Sequence, residues 1–246
     1  MNSNLEFSKL DQFPAWFSKA KQILSDVITN PSYPCYFGSQ TEKAGVNSFT
    51  FLNRDLDDEN IDGLAVTLSN YISHASIGPN QRSLILFVGP PVDDPNLIDD
   101  CNLLWSILEK VSSIDTHPWP SSVPISANDP DWQWCFGGKK WFILGCSPAY
   151  KRRRSRNLGP CLTIVFQLSE RVFINLSGDS KEGMKAKKNV RKRLKLYDSS
   201  TIHPHIGSES KSSKYKWRQY FLPDDDTVLD TSECPFTLNK ERNINE

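Results

Sequence analysis

The chain has 246 residues, enough for one large domain or two small ones with a sizeable core. Its 29 Lys and Arg balance 29 Asp and Glu, which excludes a global field that would draw in nucleic acid or a membrane surface. With 38% hydrophobic and 24% charged residues the composition is that of a folded globular protein, and no apolar stretch approaches the roughly 18 residues a membrane helix needs. The first periodic segment spans residues 14–28, where Trp16, Phe17, Ala20, Ile23, Leu24 and Val27 recur at helical spacing and Asn30-Pro31 stops the run. Residues 33–38 read as a proline-bounded aromatic loop. Residues 48–52 alternate and contain β-formers, which predicts a strand. Asp62 is placed to cap a helix over residues 63–75, with Leu64, Leu68, Tyr71 and Ile72 on one face.

Residues 83–88 form a short apolar run before Gly89-Pro90-Pro91 and read as a central, buried strand. Pro95 opens a helix to about residue 111, and Pro118, Pro120, Pro124 and Pro130 then punctuate a long irregular loop of the kind that often carries function. Residues 131–136 and 140–144, separated around Gly137-Gly138, read as a β-hairpin. Residues 162–167 predict another strand, residues 171–174 a short one, and residues 183–197 a helix with Ala186, Val190, Leu194 and Tyr197 on its apolar face. The pattern points to an α/β or α+β fold, a single domain over residues 1–236 with a mixed sheet flanked by helices, and a disordered tail at 237–246. The N-terminus lacks the basic start and apolar run of a signal peptide, so the expected location is the cytoplasm. In that reducing setting the six cysteines, none in C-x-x-C spacing, are expected to be free thiols.

The segments with chemical potential are basic and histidine-bearing. Lys151-Arg152-Arg153-Arg154-Ser155-Arg156 precedes a strand, and arginine forks match carboxylates, phosphates and propionates; the plainer reading is a solvated loop. The basic residues of 185–193 fit the exposed face of an amphipathic helix. The histidines are His74, His117, His203 and His205, and both His117 and the His203-Pro204-His205 pair read as surface-loop residues. No H-E-x-x-H, Ser-His-Asp, Walker or G-x-G-x-x-G pattern occurs.

Taken in order, several segments resemble the YqcI/YcgG family over roughly residues 33–236. They are Pro31-Ser32-Tyr33-Pro34-Cys35-Tyr36-Phe37-Gly38, His117-Pro118-Trp119-Pro120, Trp132-Gln133-Trp134-Cys135-Phe136-Gly137-Gly138, Ser147-Pro148 with the arginine run to Arg156, residues 162–167, Trp217-Arg218-Gln219-Tyr220 and Cys234-Pro235-Phe236. The family includes haem-dependent enzymes that hydroxylate a guanidine nitrogen. The resemblance therefore implies haem b, a nitrogen-rich small-molecule substrate, biosynthesis as the setting, and an electron donor where dioxygen is the oxidant. It implies propionate or substrate-carboxylate pairing for Arg152 and Arg156. A haem needs an axial ligand, for which His117 stands first and Cys146 and Cys35 supply thiolate alternatives. Ser147 departs from the hydroxylase branch, which aligns a histidine at that position. The rival reading is a non-catalytic protein that binds an anionic ligand or nucleic acid through the basic loop and helix; nucleic acid is the weaker partner, given the neutral net charge.

Overall fold

The computed structural model describes residues 13–75, 82–172, 181–206, 215–230 and 234–237. Five strands form one mixed sheet: β1 (Ser48–Leu52), β2 (Leu84–Val88), β3 (Cys135–Phe136), β4 (Lys139–Cys146) and β5 (Thr163–Leu168), in the spatial order β1-β2-β5-β4-β3. β1 and β2 are parallel and joined through a helix, whereas β5 pairs antiparallel to both β2 and β4. β1, β2 and β4 therefore point the same way, and their C-terminal ends share one edge. The β3–β4 turn is Gly137-Gly138 with φ of +61° and +66°, the left-handed pair that a two-residue hairpin requires. A Cβ on Gly137 would in addition lie 2.5 Å from Ile72 Cδ1.

Alternation along the strands fills both faces. Leu84, Leu86 and Val88 of β2, Trp141 and Ile143 of β4, and Ile164 and Phe166 of β5 pack under α3 (Asp58–Ala75) and α4 (Leu97–Ser113). Phe49, Ile85, Phe87 and Cys146 face α1 (Ala15–Thr29) on the other side, through its buried Phe17, Ala20, Leu24 and Ile28. β2 thus has both faces covered, which is why its sequence is apolar throughout.

Several expectations need correction. Residues 33–38 are not all loop: α2 (Tyr36–Lys43) begins there, and Cys35 caps it by accepting the Gly38 N–H on Sγ at 3.5 Å. Asp62 caps nothing, because α3 already starts at Asp58. Asn96, not Pro95, opens α4, its Oδ1 accepting the N–H groups of Ile98 and Asp99 at 2.8 and 3.4 Å. Arg171 and Val172 belong to the short helix α5 (Ser169–Val172) rather than to a strand, while Phe173 and Ile174 lie outside the described residues. α6 (Lys181–Asp198) lies where a helix was expected, with Ala186, Val190, Leu194 and Tyr197 half-buried. All six cysteines are free. Of the tail only Thr237 is described, its N–H donating to Glu109 Oε1 at 2.9 Å; residues 238–246 lie outside.

Candidate functional site

Where β4 leaves the sheet, the chain builds a dense polar cluster. Asp100, buried on the first turn of α4, accepts the Arg54 guanidinium on Oδ1 at 2.8 Å and the Ser147 hydroxyl on Oδ2 at 2.6 Å. Ser147 Oγ in turn accepts the Ala149 N–H at 3.0 Å. The carboxylate is thus held at the shared edge by a guanidinium and a hydroxyl, a charge-assisted pairing that makes its burial tolerable.

The arginine loop follows, and its side chains divide. Arg153 is 2% exposed; it donates from Nε to the Pro223 carbonyl at 2.8 Å and from Nη2 to the Asp225 carbonyl at 2.6 Å and to Asp226 Oδ1 at 2.8 Å. Arg156, 7% exposed, donates to the carbonyls of Gly145, Tyr220 and Gln219 at 3.1, 3.3 and 2.9 Å. The successive N–H groups of Lys151, Arg152 and Arg153 converge on the Asp224 carboxylate at 2.9–3.2 Å, the concave arrangement of amides that binds anions. Here the anion is the chain's own. Ser155 likewise gives its N–H and hydroxyl to Asp198 at 2.7 and 2.9 Å, and burial raises the pKa of that carboxyl. The loop is therefore largely matched from within, by Asp198, Asp224 and Asp226. Arg152 stands half-exposed, its guanidinium near Ser200 Oγ and Asp226 Oδ2 at 3.3 and 3.8 Å.

Beneath the loop lies Tyr33, whose hydroxyl donates to the Ser155 carbonyl at 3.2 Å. Cys35, Cys146 and Arg156 all lie close enough to influence its charge, so three of the residues singled out from the sequence meet at this end of the sheet. Both thiols are held in their neutral form. Burial pushes Cys146 up to about 12 against an opposing pull from Arg156, and burial raises Cys35 against its amide hydrogen bonds.

His117 lies at the opposite end of β4. Its Nδ1 is 3.2 Å from Asp115 Oδ1, while Asp115 also accepts the His117 and Gly137 N–H groups at 3.0 and 2.8 Å. The carboxylate faces Nδ1 and leaves Nε2 as the unengaged nitrogen of a ring that is 57% exposed. The cavity beside it, lined by Ser112, Trp119, Cys135 and Gly138, has about 10 Å³, room for one water.

His203 and His205 correct the sequence reading outright: both are fully buried. The His205 N–H donates to His203 Nδ1 at 3.1 Å, and the Leu229 N–H donates to His205 Nε2 at 3.2 Å. Burial lowers both pKa values to about 4, helped for His203 by Arg153 and for His205 by His203 and Arg218, so both rings are neutral at pH 7. The only sequence signal was the His-Pro-His spacing; nothing in a polar stretch told that it turns inward.

Residues 24–237 match the model of the YqcI/YcgG family. The chain belongs to that family. It is 30% identical to YqcI of Bacillus subtilis over 97% of this chain and 94% of that one, and 28% identical to YcgG of the same organism over 94% and 91%; both relatives are uncharacterized. It is 28% identical, over 93% of this chain and 86% of the relative, to DcsA of Streptomyces lavendulae, provisionally named an N(omega)-hydroxy-L-arginine synthase. No solved structure matches. Among the described residues no helix is long and apolar enough to cross a membrane, and no group of three or more His, Cys, Asp or Glu could hold a metal ion.

Besides room for the porphyrin, a haem would ask an axial ligand of the YqcI/YcgG chain, and the donors differ in fitness for that one role. His117 is the most accessible of them, with Nδ1 held by Asp115. Cys35 and Cys146 fit poorly, the first a half-buried and the second a fully buried thiol, each with its pKa raised. His203 and His205 do not fit, since the backbone amides occupy the lone-pair nitrogens and leave N–H groups on the others. Geometry also separates the candidates. Gly138 beside His117 and Gly145 at Arg156 bracket extended chain of roughly 23 Å. A group held on His117 would therefore lie at the other end of the strand from Arg156.

Proposed function

We propose that this chain is an oxygenase that places one oxygen atom on a nitrogen of an amino-acid-like or guanidine-bearing small molecule, with haem b as cofactor. The observation that carries the reading is the relatedness to DcsA, which spans nearly the whole of both chains rather than one motif. Haem, when bound, supplies activation of dioxygen or peroxide and transfer of the oxygen atom. With peroxide no further electrons are needed; with dioxygen, two electrons from an external donor reduce the second oxygen to water. His117 would hold the cofactor through Nε2, with Asp115 orienting the ring. Arg152, half-exposed beside Asp226, would meet a further carboxylate only at the far end of β4, so its partner would be an acid other than a propionate of that haem.

The test is the visible spectrum of protein expressed with added haem, before and after reduction and carbon monoxide, with L-arginine then supplied alongside peroxide or a reductant and air. A Soret band at near-stoichiometric haem, its loss in His117→Ala, and a product that has gained one oxygen on nitrogen are expected. Protein that takes up no haem would overturn the cofactor. Full haem retention in His117→Ala would overturn the ligand assignment.

A further inference from the structure

The His203–His205 pair has two donors without acceptors. Because His203 Nδ1 and His205 Nε2 each accept a main-chain N–H, the neutral rings carry their protons on His203 Nε2 and His205 Nδ1. Both of these nitrogens are buried with no hydrogen-bond partner among the described residues. The Thr227 backbone acts on His203 as an acceptor would and biases it towards its charged form, although the contact falls short of hydrogen-bond geometry. A third orphan donor, Nε of buried Arg218, sits in the neighbouring 3-10 turn Lys216–Gln219, which packs against the turn Pro204–Ile206. The Arg218 guanidinium lies 4.6 Å over the Tyr215 ring.

Buried donors of this kind are normally satisfied, and three together call for an acceptor. The setting defines its charge, since Arg153, Arg156 and Arg218 all act on the pair, with Asp225 and Asp226 opposing them at His203. A metal ion is excluded by the proton positions, because neither outward nitrogen offers a lone pair. The two rings are 4.6 Å apart between centroids and tilted by 39°, within the reach of one small ligand. We propose that His203, His205 and Arg218 form a site for a small carboxylate, which would accept the two imidazole N–H groups and the guanidinium Nε–H. The site needs no haem and is independent of the oxygenase reading. Since both rings are fully buried, the ligand reaches it only when the two turns part.

The test uses ring N–H resonances of the full chain at pH 7, titrated with acetate, L-arginine and inorganic phosphate. Acetate and L-arginine are expected to shift both signals saturably. His203→Asn keeps an acceptor for the His205 amide but lacks the ring N–H, and Arg218→Gln removes the charge at the other turn. Whichever variant folds is expected to bind about tenfold more weakly, the loss of one charge-assisted hydrogen bond. Ring protons that exchange with solvent and ignore all three anions would mean that water fills the site and would overturn the proposal. A response to phosphate alone would overturn the carboxylate, and unchanged affinity in both variants would overturn the residues named.

Discussion

Arg156 donates to three main-chain carbonyls from a buried position, whereas Arg152, in the same basic run, stands half-exposed beside Asp226. The division follows from the short 3-10 helix Arg154–Arg156, in which side chains three apart eclipse one another, so Arg153 and Arg156 turn inward together. The sequence displayed the charge of the run but not this rotation, because a 3-10 turn leaves no hydrophobic period to read. Arg156→Met is expected to destabilise the fold by roughly 3 kcal/mol, since it strands carbonyls that water cannot reach. Arg152→Ala is expected to stay within about 0.5 kcal/mol. Urea denaturation of both variants checks this, and an equal loss in the two would refute the assignment of Arg156 as the inward staple.

Among the elements, those with a sustained period were legible: α1, α3, α4 and α6 from apolar residues at helical spacing, and β1, β2 and β5 from short β-rich runs. α2 was hidden because its eight residues bury only Thr41 and follow two prolines, leaving no periodic face. α5 was hidden because four residues are too few to show one. The segment that closes the cluster, residues 215–226, was visible only through Trp217-Arg218-Gln219-Tyr220 and its family resemblance. Its position depends on contacts distant in sequence: the Gly145 N–H donates to the Tyr220 carbonyl at 2.6 Å, and the Tyr150 hydroxyl to the Leu222 carbonyl at 2.5 Å. Gly145 is required for that approach, as a Cβ there would lie 2.5 Å from Leu104 Cδ1 and 3.1 Å from the Tyr220 carbonyl. Asp224 fastens the segment to the arginine loop, so Asp224→Ala should leave the amides of residues 151–153 without their acceptor. The expected cost is about 2 kcal/mol, with faster hydrogen exchange at those three amides. Protection unchanged at residues 151–153 would show that the carboxylate does not hold them.

At the scale of the molecule, the mixed sheet with helices on both faces was readable from the order of elements, but the candidate site was not, because it is assembled from the end of β4, the turn after α6 and the C-terminal segment. The consequence testable on the whole protein is its response to acid. His203 and His205 have their pKa lowered to about 4 in the folded chain, against about 6.5 when unfolded. Between those values the unfolded chain binds protons that the folded one refuses, so stability falls as pH drops below about 6.5 and the loss is complete near pH 4. The ceiling is on the order of 3 kcal/mol per ring. Asp198, raised by burial, works in the opposite direction where it titrates. Asp226, lowered by its hydrogen bonds to Thr201 and Arg153, adds a further loss only below its ordinary range. The melting temperature is therefore expected to decline steeply between pH 6.5 and 4, and the double variant His203→Asn with His205→Gln to show a flatter profile in that window. A wild-type profile already flat there would mean that the rings accept protons without opening the fold, and the neutral, donor-presenting pair would have to be abandoned.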